Sequence, residues 1–410
     1  MLLNTVLKLS VVQLRSHWYA RQGLDSQMPG RVAEILRTSG WINSPASTAP
    51  YLAMRARSPN LAPATVDQAV FGGDAVFEVP AVRGCAMLVP RDDIATALCC
   101  AHRDSTERTR KIRSACHITV REIENLSQAI LDLLKREPLG TQEIRARVPE
   151  GMVRSLGPEG KRFGESSTLT HVLRMLQVQG SVLRFAIEKK LDSTRYAYRL
   201  APWQNVYEVS LAESIRRLAE RFFSWAAPAT LEEFAWWSGA NRKDARQAID
   251  SIQMQRVSIP DWTEEAWIPA DQTDDLIDVK EQKDGQDFRF LPFRDNFLYF
   301  RRRLAVFLEP EDREIEVMDW MSRPAVLADL ESLHYNAIVL HGRLVGSWEY
   351  DPEEKCIVWK TSAKTRKNHG RVLRALMEDL AQFIGKDLGD VRFYPFDTGA
   401  KRRARINSLR

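Results

Sequence analysis

One building plan recurs along this chain, and residues 211–269 carry its clearest copy. Leu211, Ile215, Leu218, Phe222 and Trp225 return at the spacing of a single helix face, with Arg216, Arg217 and Arg221 off that stripe. Thr230-Leu-Glu-Glu233 is a capping box that opens a short helix through Trp237, and Ser238-Gly239 ends it. Asn241 caps the next helix, in which Ala245, Ala248, Ile249 and Ile252 face inward while Arg242, Lys243 and Arg246 face outward. Residues 256–260 and 266–269 then read as two short strands.

This order is the winged-helix plan, and a second helix that is basic outside suits a nucleic-acid groove, although such trihelical units also serve as protein–protein modules. A middle copy opens on the capping box Thr119-Val-Arg-Glu122, followed by a stripe of Ile123, Leu126, Ile130 and Leu133. A turn at Pro138-Leu-Gly-Thr141, a short helix through Val148 and a glycine-rich loop lead to a third helix marked by Leu169, Val172, Leu173 and Leu176. Gly160-Lys-Arg162 at that loop's tip reads as a phosphate contact or a plain mobile loop. Strands at 182–187 and 195–200 form the wing. The N-terminal copy is less regular: helices at 10–22 and 29–39, a loop at 40–48, a helix at 49–57, a short helix at 65–70, and strands at 76–79 and 86–89. Residues 102–117, basic and polar, read as the link to the middle copy.

Past residue 287 the pattern changes to strands at 288–293, 337–340, 344–350 and 357–359, a helix marked by Val372, Leu376, Leu380 and Phe383, and a strand at 391–394. The expected fold is α+β: three tandem winged-helix domains followed by a β-rich C-terminal domain, divided as 1–101, 102–204, 205–287 and 288–410.

Charge is segregated. Residues 261–287 hold ten acids against Lys280 and Lys283, a net −8, so the formal +5 of the chain leaves +13 for the rest. Residues 355–374 contain seven Lys or Arg and no acid, and the tail beyond Asp397 carries Lys401, Arg402, Arg403, Arg405 and Arg410. Such polarity suits one face on phosphates, or an unevenly solvated surface. The 410 residues are 44% hydrophobic and 28% charged, a globular composition. No apolar run is long enough to span a bilayer, and the first residues lack a signal-peptide pattern, so a cytoplasmic, non-membrane protein is expected. Five cysteines without a Cys-x-x-Cys pair argue against a disulfide framework and a zinc site, so neither metal nor cofactor is expected. No Gly-Lys-Ser/Thr phosphate loop and no nucleophile elbow occur.

Several phrases resemble, in order, the winged-helix DNA glycosylases of the AlkZ and YcaQ group. They are Ala49-Pro-Tyr-Leu-Ala-Met-Arg-Ala-Arg57, Val82-Arg83-Gly84, Pro228-Ala-Thr-Leu-Glu-Glu-Phe-Ala-Trp-Trp-Ser-Gly239, Leu291-Pro-Phe-Arg-Asp295 and Val339-Leu-His-Gly-Arg-Leu-Val-Gly-Ser-Trp348. The resemblance implies three tandem winged helices and a β-rich domain around a concave basic surface, with hydrolysis of the N-glycosidic bond of a modified base. It also implies a Gln-x-Gln or Gln-x-Asp motif just before Ala49, where this chain has Asn43 and Pro45, and a histidine after Arg83-Gly84, where Met87 stands.

The amide of Asn43 can hold a water with a shorter reach than glutamine, or simply cap its loop. For a neutral leaving base a carboxylate would help, and Asp67, Asp74 and Glu78 are the first-segment candidates; Glu78, in a strand near Arg83, also reads as a structural ion pair. Ser44, Ala46 and Ser47 are small enough to leave room for a bulky base. His341 and Arg343, at a hairpin turn, are candidates for a probe that inserts in a groove, or an ordinary exposed turn. Phosphate-contact candidates are Arg55, Arg57, Arg83, Lys364, Arg366, Lys367, Arg371, Lys401, Arg402 and Arg403. The function expected is a monomeric, monofunctional DNA glycosylase acting on double-stranded DNA that carries a modified base, in genotoxin resistance, repair or defence against modified phage DNA. A catalytically inactive winged-helix regulator or lesion sensor, and a protein-interaction scaffold, are the competing readings.

Overall fold

The computed structural model describes residues 6–203, 209–260, 262–277, 287–319, 323–390 and 398–410. It is a mixed α+β chain that divides into two compact units: Met1–Val66 with Ala219–Arg410, and Asp67–Leu218. The division is not four consecutive segments, because the N-terminal helices and the C-terminal sheet belong to one unit and the division falls inside helix Leu211–Ala226. The strand expected at 391–394, and much of the acidic stretch, lie outside the described residues.

In the unit Asp67–Leu218, residues 102–117 are not a link. Residues 102–115 form the second half of a continuous helix, Ile94–Ala115, whose Ile112 joins the core. The expected box at Thr119 is present: its hydroxyl accepts from Glu122 N at 3.1 Å and the Glu122 carboxylate accepts from Thr119 N at 2.8 Å. This starts helix Val120–Leu134, which buries Ile123, Leu126, Ile130 and Leu134 against Leu169, Val172, Leu173 and Leu176 of helix Thr168–Val178. Leu134 replaces the expected Leu133 on that face. The strands Leu139–Gly140, Tyr196–Leu200 and Val182–Ala186 lie side by side in that order, so the last strand sits between the first two. Gly160 to Arg162 end a short helix, Gly157–Arg162, with Arg162 bonded to Glu159 at 2.9 Å. Val76–Pro80 pairs antiparallel with Ala86–Pro90.

In the other unit the same strand order recurs. Met254–Ser258, Ala266–Pro269 and Ala229–Thr230 are neighbours, and Leu7–Lys8 adds a parallel edge strand. Helices Leu231–Ser238 and Arg242–Asp250 carry the expected caps at Thr230 and Asn241, and Gly239 ends the first at φ 71°. A four-stranded antiparallel sheet follows, ordered Phe288–Leu291, Asn336–Leu340, Arg343–Asp351 and Cys356–Thr361. Helix Ala363–Phe383 packs Leu373, Met377 and Leu380 onto Trp348, Tyr350 and Ile338 of that sheet, and Leu52 of helix Ala49–Arg57 joins the same core.

The three sequence-distant parts of this unit meet in an aromatic cluster. Trp41 lies 5.7 Å from Trp225, Phe222 lies 5.4 Å from Trp237 and 5.5 Å from Phe300, and Trp225 stacks on Phe300 at 6.2 Å. Large fully buried rings of this kind dominate core energetics and fix relative placement by their edge-to-face geometry. Two buried ion pairs reinforce the junction: Arg301 with Glu233 at 3.0 Å and Arg57 with Asp295 at 2.7 Å.

Candidate active site

The loop that bears Asn43 begins at Gly40, which sits at φ 92°, a conformation that L side chains rarely adopt. A methyl group there would stand 2.8 Å from Phe300 Cζ and 2.9 Å from Asn296 Nδ2. The Asn296 amide in turn donates to the carbonyls of Ser39 at 2.9 Å and Trp41 at 3.1 Å. The backbone on both sides of Gly40 is therefore tied to the C-terminal half of the unit, and residues 42 and 43 continue as a two-residue strand. Gly40→Ala is expected to lower the unfolding free energy of this unit by about 2–4 kcal/mol, from forced overpacking and a disallowed backbone. A shift of the urea midpoint checks it, and an unchanged midpoint would show that the loop adapts.

Asn43 lines a cleft whose near wall is Ile42, Pro45, Ala49 and Ala53 and whose far wall is residues 292–296. Its empty space is about 450 Å³, part of it open to solvent, but whole water molecules find room in only about 40 Å³. The cleft as it stands has room for one or a few waters. The small residues expected to widen it do not: Ser44, Ala46 and Ser47 are packed inside the protein, and of these loop residues only Pro45 faces the cleft.

The far wall is held from several directions. Phe293 N donates to Asn336 Oδ1 at 2.9 Å. Asp295 takes Arg57 in a two-pronged pair at 2.7 and 2.9 Å and also accepts from Phe297 N at 3.0 Å. Between them Arg294 sits at φ 60°, a left-handed conformation that costs about 1–2 kcal/mol for a residue with a Cβ. Its exposed guanidinium lies over the rings of Phe293 at 5.1 Å and Tyr299 at 5.6 Å. Nearby, His334 is held below the usual histidine range by burial and then by Arg294, and it lies 6.1 Å from the Phe293 ring. His17, buried in the same unit, is pushed down to about 4 by burial and by Arg21 and Arg301, so it is neutral near pH 7.

Other sequence candidates fall elsewhere. Glu78 pairs with Arg184, which stacks on Tyr196 at 4.1 Å, so its carboxylate is committed to a structural network. Asp67 accepts from Leu191 N at 3.2 Å and thus pins the wing loop of its own unit. Asp74 is an exposed carboxylate 3.9 Å from Arg91. None of the three lines the cleft. Met87, where the resemblance puts a histidine, is buried in its strand.

Among the cations, Arg57 is no phosphate contact. It is 1% exposed and donates to Gln22 and Ala53 as well as to Asp295. Arg55 pairs with Asp379 at 2.9 Å and lies 4.1 Å over Phe383, which makes it a helix-packing residue. The basic tail does not project either. Arg402 bonds Asp390 at 2.7 Å and the Tyr350 carbonyl at 3.0 Å, Arg403 pairs with Glu353, Arg405 bonds the buried Glu349 at 2.7 Å, and Arg410 bonds the buried Asp351 at 2.8 Å. Helix Gly399–Leu409 is thereby strapped onto strand Arg343–Asp351, with Lys401 partly buried on it. The hairpin turn is docked too: a Cβ on Gly342 would meet the Arg15 carbonyl at 2.6 Å, His341 is partly buried, and Arg343 lies 3.7 Å from Glu309. A turn packed on the protein is not an extended probe. In contrast, Lys364, Arg366, Lys367, Arg371 and Arg374 all stand on helix Ala363–Phe383, whose first turn holds no acid, and Arg83 is exposed at a tight turn. All five are exposed; Lys364 pairs with Glu311 at 3.1 Å, and Arg366 lies 5.8 Å over Trp359. Cations near a helix N-terminus oppose the macrodipole, so this placement favours an anion docking there over helix stability.

The sequence pointed to Asn43 and overlooked Arg294 and Asp295 as its neighbours. The phrase Leu291-Pro-Phe-Arg-Asp295 marked that segment as notable, but nothing in the order of the chain tells that it folds over residue 43. Among the described residues no three His, Cys, Asp or Glu side chains converge as a metal site, and no helix is long and apolar enough to cross a membrane.

The arrangement of helices and strands has a counterpart among solved structures. The Streptomyces sahachiroi DNA glycosylase AlkZ superposes with a TM-score of 0.69, covering 95% of this chain and 99% of that one at 17% identity. At that identity the likeness establishes a shared fold. The family model described as DNA glycosylase AlkZ-like matches residues 36–383, and the chain belongs to this family of DNA glycosylases. No curated protein matches the sequence.

Proposed function

We propose that the protein is a DNA N-glycosylase that hydrolyses the bond between a modified base and its deoxyribose, with Asn43 holding the attacking water. The observation that carries this reading is the position of Asn43 in a water-sized cleft walled by pinned residues, within a chain of the AlkZ-like family. An amide donates and accepts, so it can orient a water toward C1′ without acting as a strong base. The electron pair of the broken C1′–N bond leaves on the base, the water oxygen bonds C1′, and an abasic site remains.

The repeated strand order and the basic outer helices support three winged helices suited to a duplex, followed by a β-rich C-terminal domain. The exposed face of Lys364, Lys367, Arg371 and Arg374 is the phosphate-binding surface this reading favours. Replacing Lys367 and Arg371 by glutamine is expected to flatten the slope of log affinity against log salt by about 0.9 for each phosphate that is no longer neutralised. A slope identical to wild type would remove this helix from the interface.

The substrate we favour is double-stranded DNA with a modified base, and the protein is expected to act as a cytoplasmic monomer without a lyase step, in genotoxin resistance, repair or defence against modified phage DNA. Incubation with alkylated, crosslinked and glucosylated-hydroxymethylcytosine duplexes should yield alkali-labile abasic sites on at least one of them. Duplex binding without base release on all three would favour a lesion sensor or regulator instead; Pro45, in place of a second polar side chain, is the feature that would then explain the loss.

A further inference from the structure

Arg294 is the cation among the residues that line the Asn43 cleft. Each neighbour in the loop is fixed: Phe293 by Asn336, Asp295 by Arg57, and Asn296 by the carbonyls of Ser39 and Trp41. Arg294 itself is held in a left-handed backbone conformation, exposes its side chain and, among the described residues, pairs with no carboxylate. Strained conformations that the surroundings over-determine collect at ligand sites. The one carboxylate in the cleft lining, Asp295, is cancelled by the buried Arg57, so the lining presents a net positive charge that comes from Arg294.

We infer that Arg294 receives the charge of the departing base, and that the cleft takes nucleobases that are neutral before cleavage in preference to cationic N-alkylpurines. This rests on the glycosylase reading and adds the substrate class to it. A cationic alkylpurine departs as a neutral molecule, gains nothing from a guanidinium and is repelled by it in the ground state. A neutral base departs as an anion. Water oxygen bonds C1′, the C1′–N pair leaves on the base, and the negative charge spreads over its ring nitrogens and carbonyl oxygens. A planar guanidinium offers two parallel N–H donors to such an edge. One water proton goes to solvent and the base anion takes one back, so water is the sole co-reactant. Phe293 and Tyr299 below the guanidinium hold it at the rim while leaving its outer N–H groups to the base.

The experiment is single-turnover base release by the full chain from four duplexes that differ in one nucleotide: 7-methylguanine as the cationic probe, and 8-oxoguanine, hypoxanthine and glucosylated 5-hydroxymethylcytosine as neutral ones. Wild type is expected to release at least one neutral base faster than 7-methylguanine. Arg294→Gln should slow that release by about 10²-fold, the effect of removing one pre-organised donor to a developing anion, and leave 7-methylguanine within about threefold or faster. Arg294→Lys should fall between, since it keeps the charge and loses the fork. Unchanged thermal melting and duplex affinity confirm that the variants are folded. A wild-type preference for 7-methylguanine, or an equal effect of Arg294→Gln on all bases, overturns the inference and leaves the glycosylase reading intact. Release of no base from any duplex overturns both.

Discussion

Asn43→Ala is expected to lower base release by about 10²–10³-fold while duplex affinity stays within about twofold. The magnitude is that of losing a group that positions a proton-transferring water. Affinity is spared because the cations proposed to face phosphates lie on another element, helix Ala363–Phe383, and phosphate neutralisation supplies a large share of such binding. Side-chain truncation at a partly exposed loop position also leaves the core unchanged, since Trp41 and Ile42 keep their packing. Single-turnover alkaline cleavage and a binding isotherm on the same duplex check the two halves separately. Equal rates for wild type and variant would place the water elsewhere, and a parallel loss of affinity would make Asn43 a binding residue.

Asp295→Ala is expected to cost about 3–5 kcal/mol of the stability of its unit, the largest effect of any single replacement here. The side chains of Arg57 and Asp295 are each 1% exposed, so removal of the carboxylate strands a guanidinium where water cannot reach it. The same change frees Phe297 N, which Asp295 caps at 3.0 Å, and unpins the backbone next to Arg294. Base release should vanish with it. Replacing both partners, Arg57→Met with Asp295→Leu, should recover most of the stability because no uncompensated charge is left, yet the strain at Arg294 loses its anchor and activity stays low. Urea unfolding followed by tryptophan fluorescence measures the first effect, since Trp41, Trp225 and Trp237 lie in this unit's core. A loss below about 1 kcal/mol for Asp295→Ala would mean that Arg57 finds water or another acceptor.

Local chemistry was readable directly. The capping boxes at Thr119 and Thr230 were legible because their partners sit three residues away, and Gly239 ends its helix for the reason glycine usually does. The segment from His102 to His117 misled because polar and basic residues dominate it, while the helix needs only Ile112 and its neighbouring turns to anchor its far end. The tail misled differently: its arginines look free in sequence, yet Arg402 bonds Asp390, Arg405 and Arg410 bond Glu349 and Asp351 of strand Arg343–Asp351, and Arg403 pairs with Glu353, 50 residues earlier.

By itself the chain determined most of its helices, the capping boxes that open them and the amide at position 43, because each follows from spacings of a few residues. What only the tertiary structure decided was which charges face solvent. Arg57 and Arg294 look alike in sequence, but one is consumed by Asp295 across 238 residues and the other is left at the cleft on a strained backbone, its charge uncancelled. Coulomb attraction depends on separation in space, and separation along the chain carries no information about it once folding brings residues 43 and 294 to one cleft and pairs Arg57 with Asp295 of its lining.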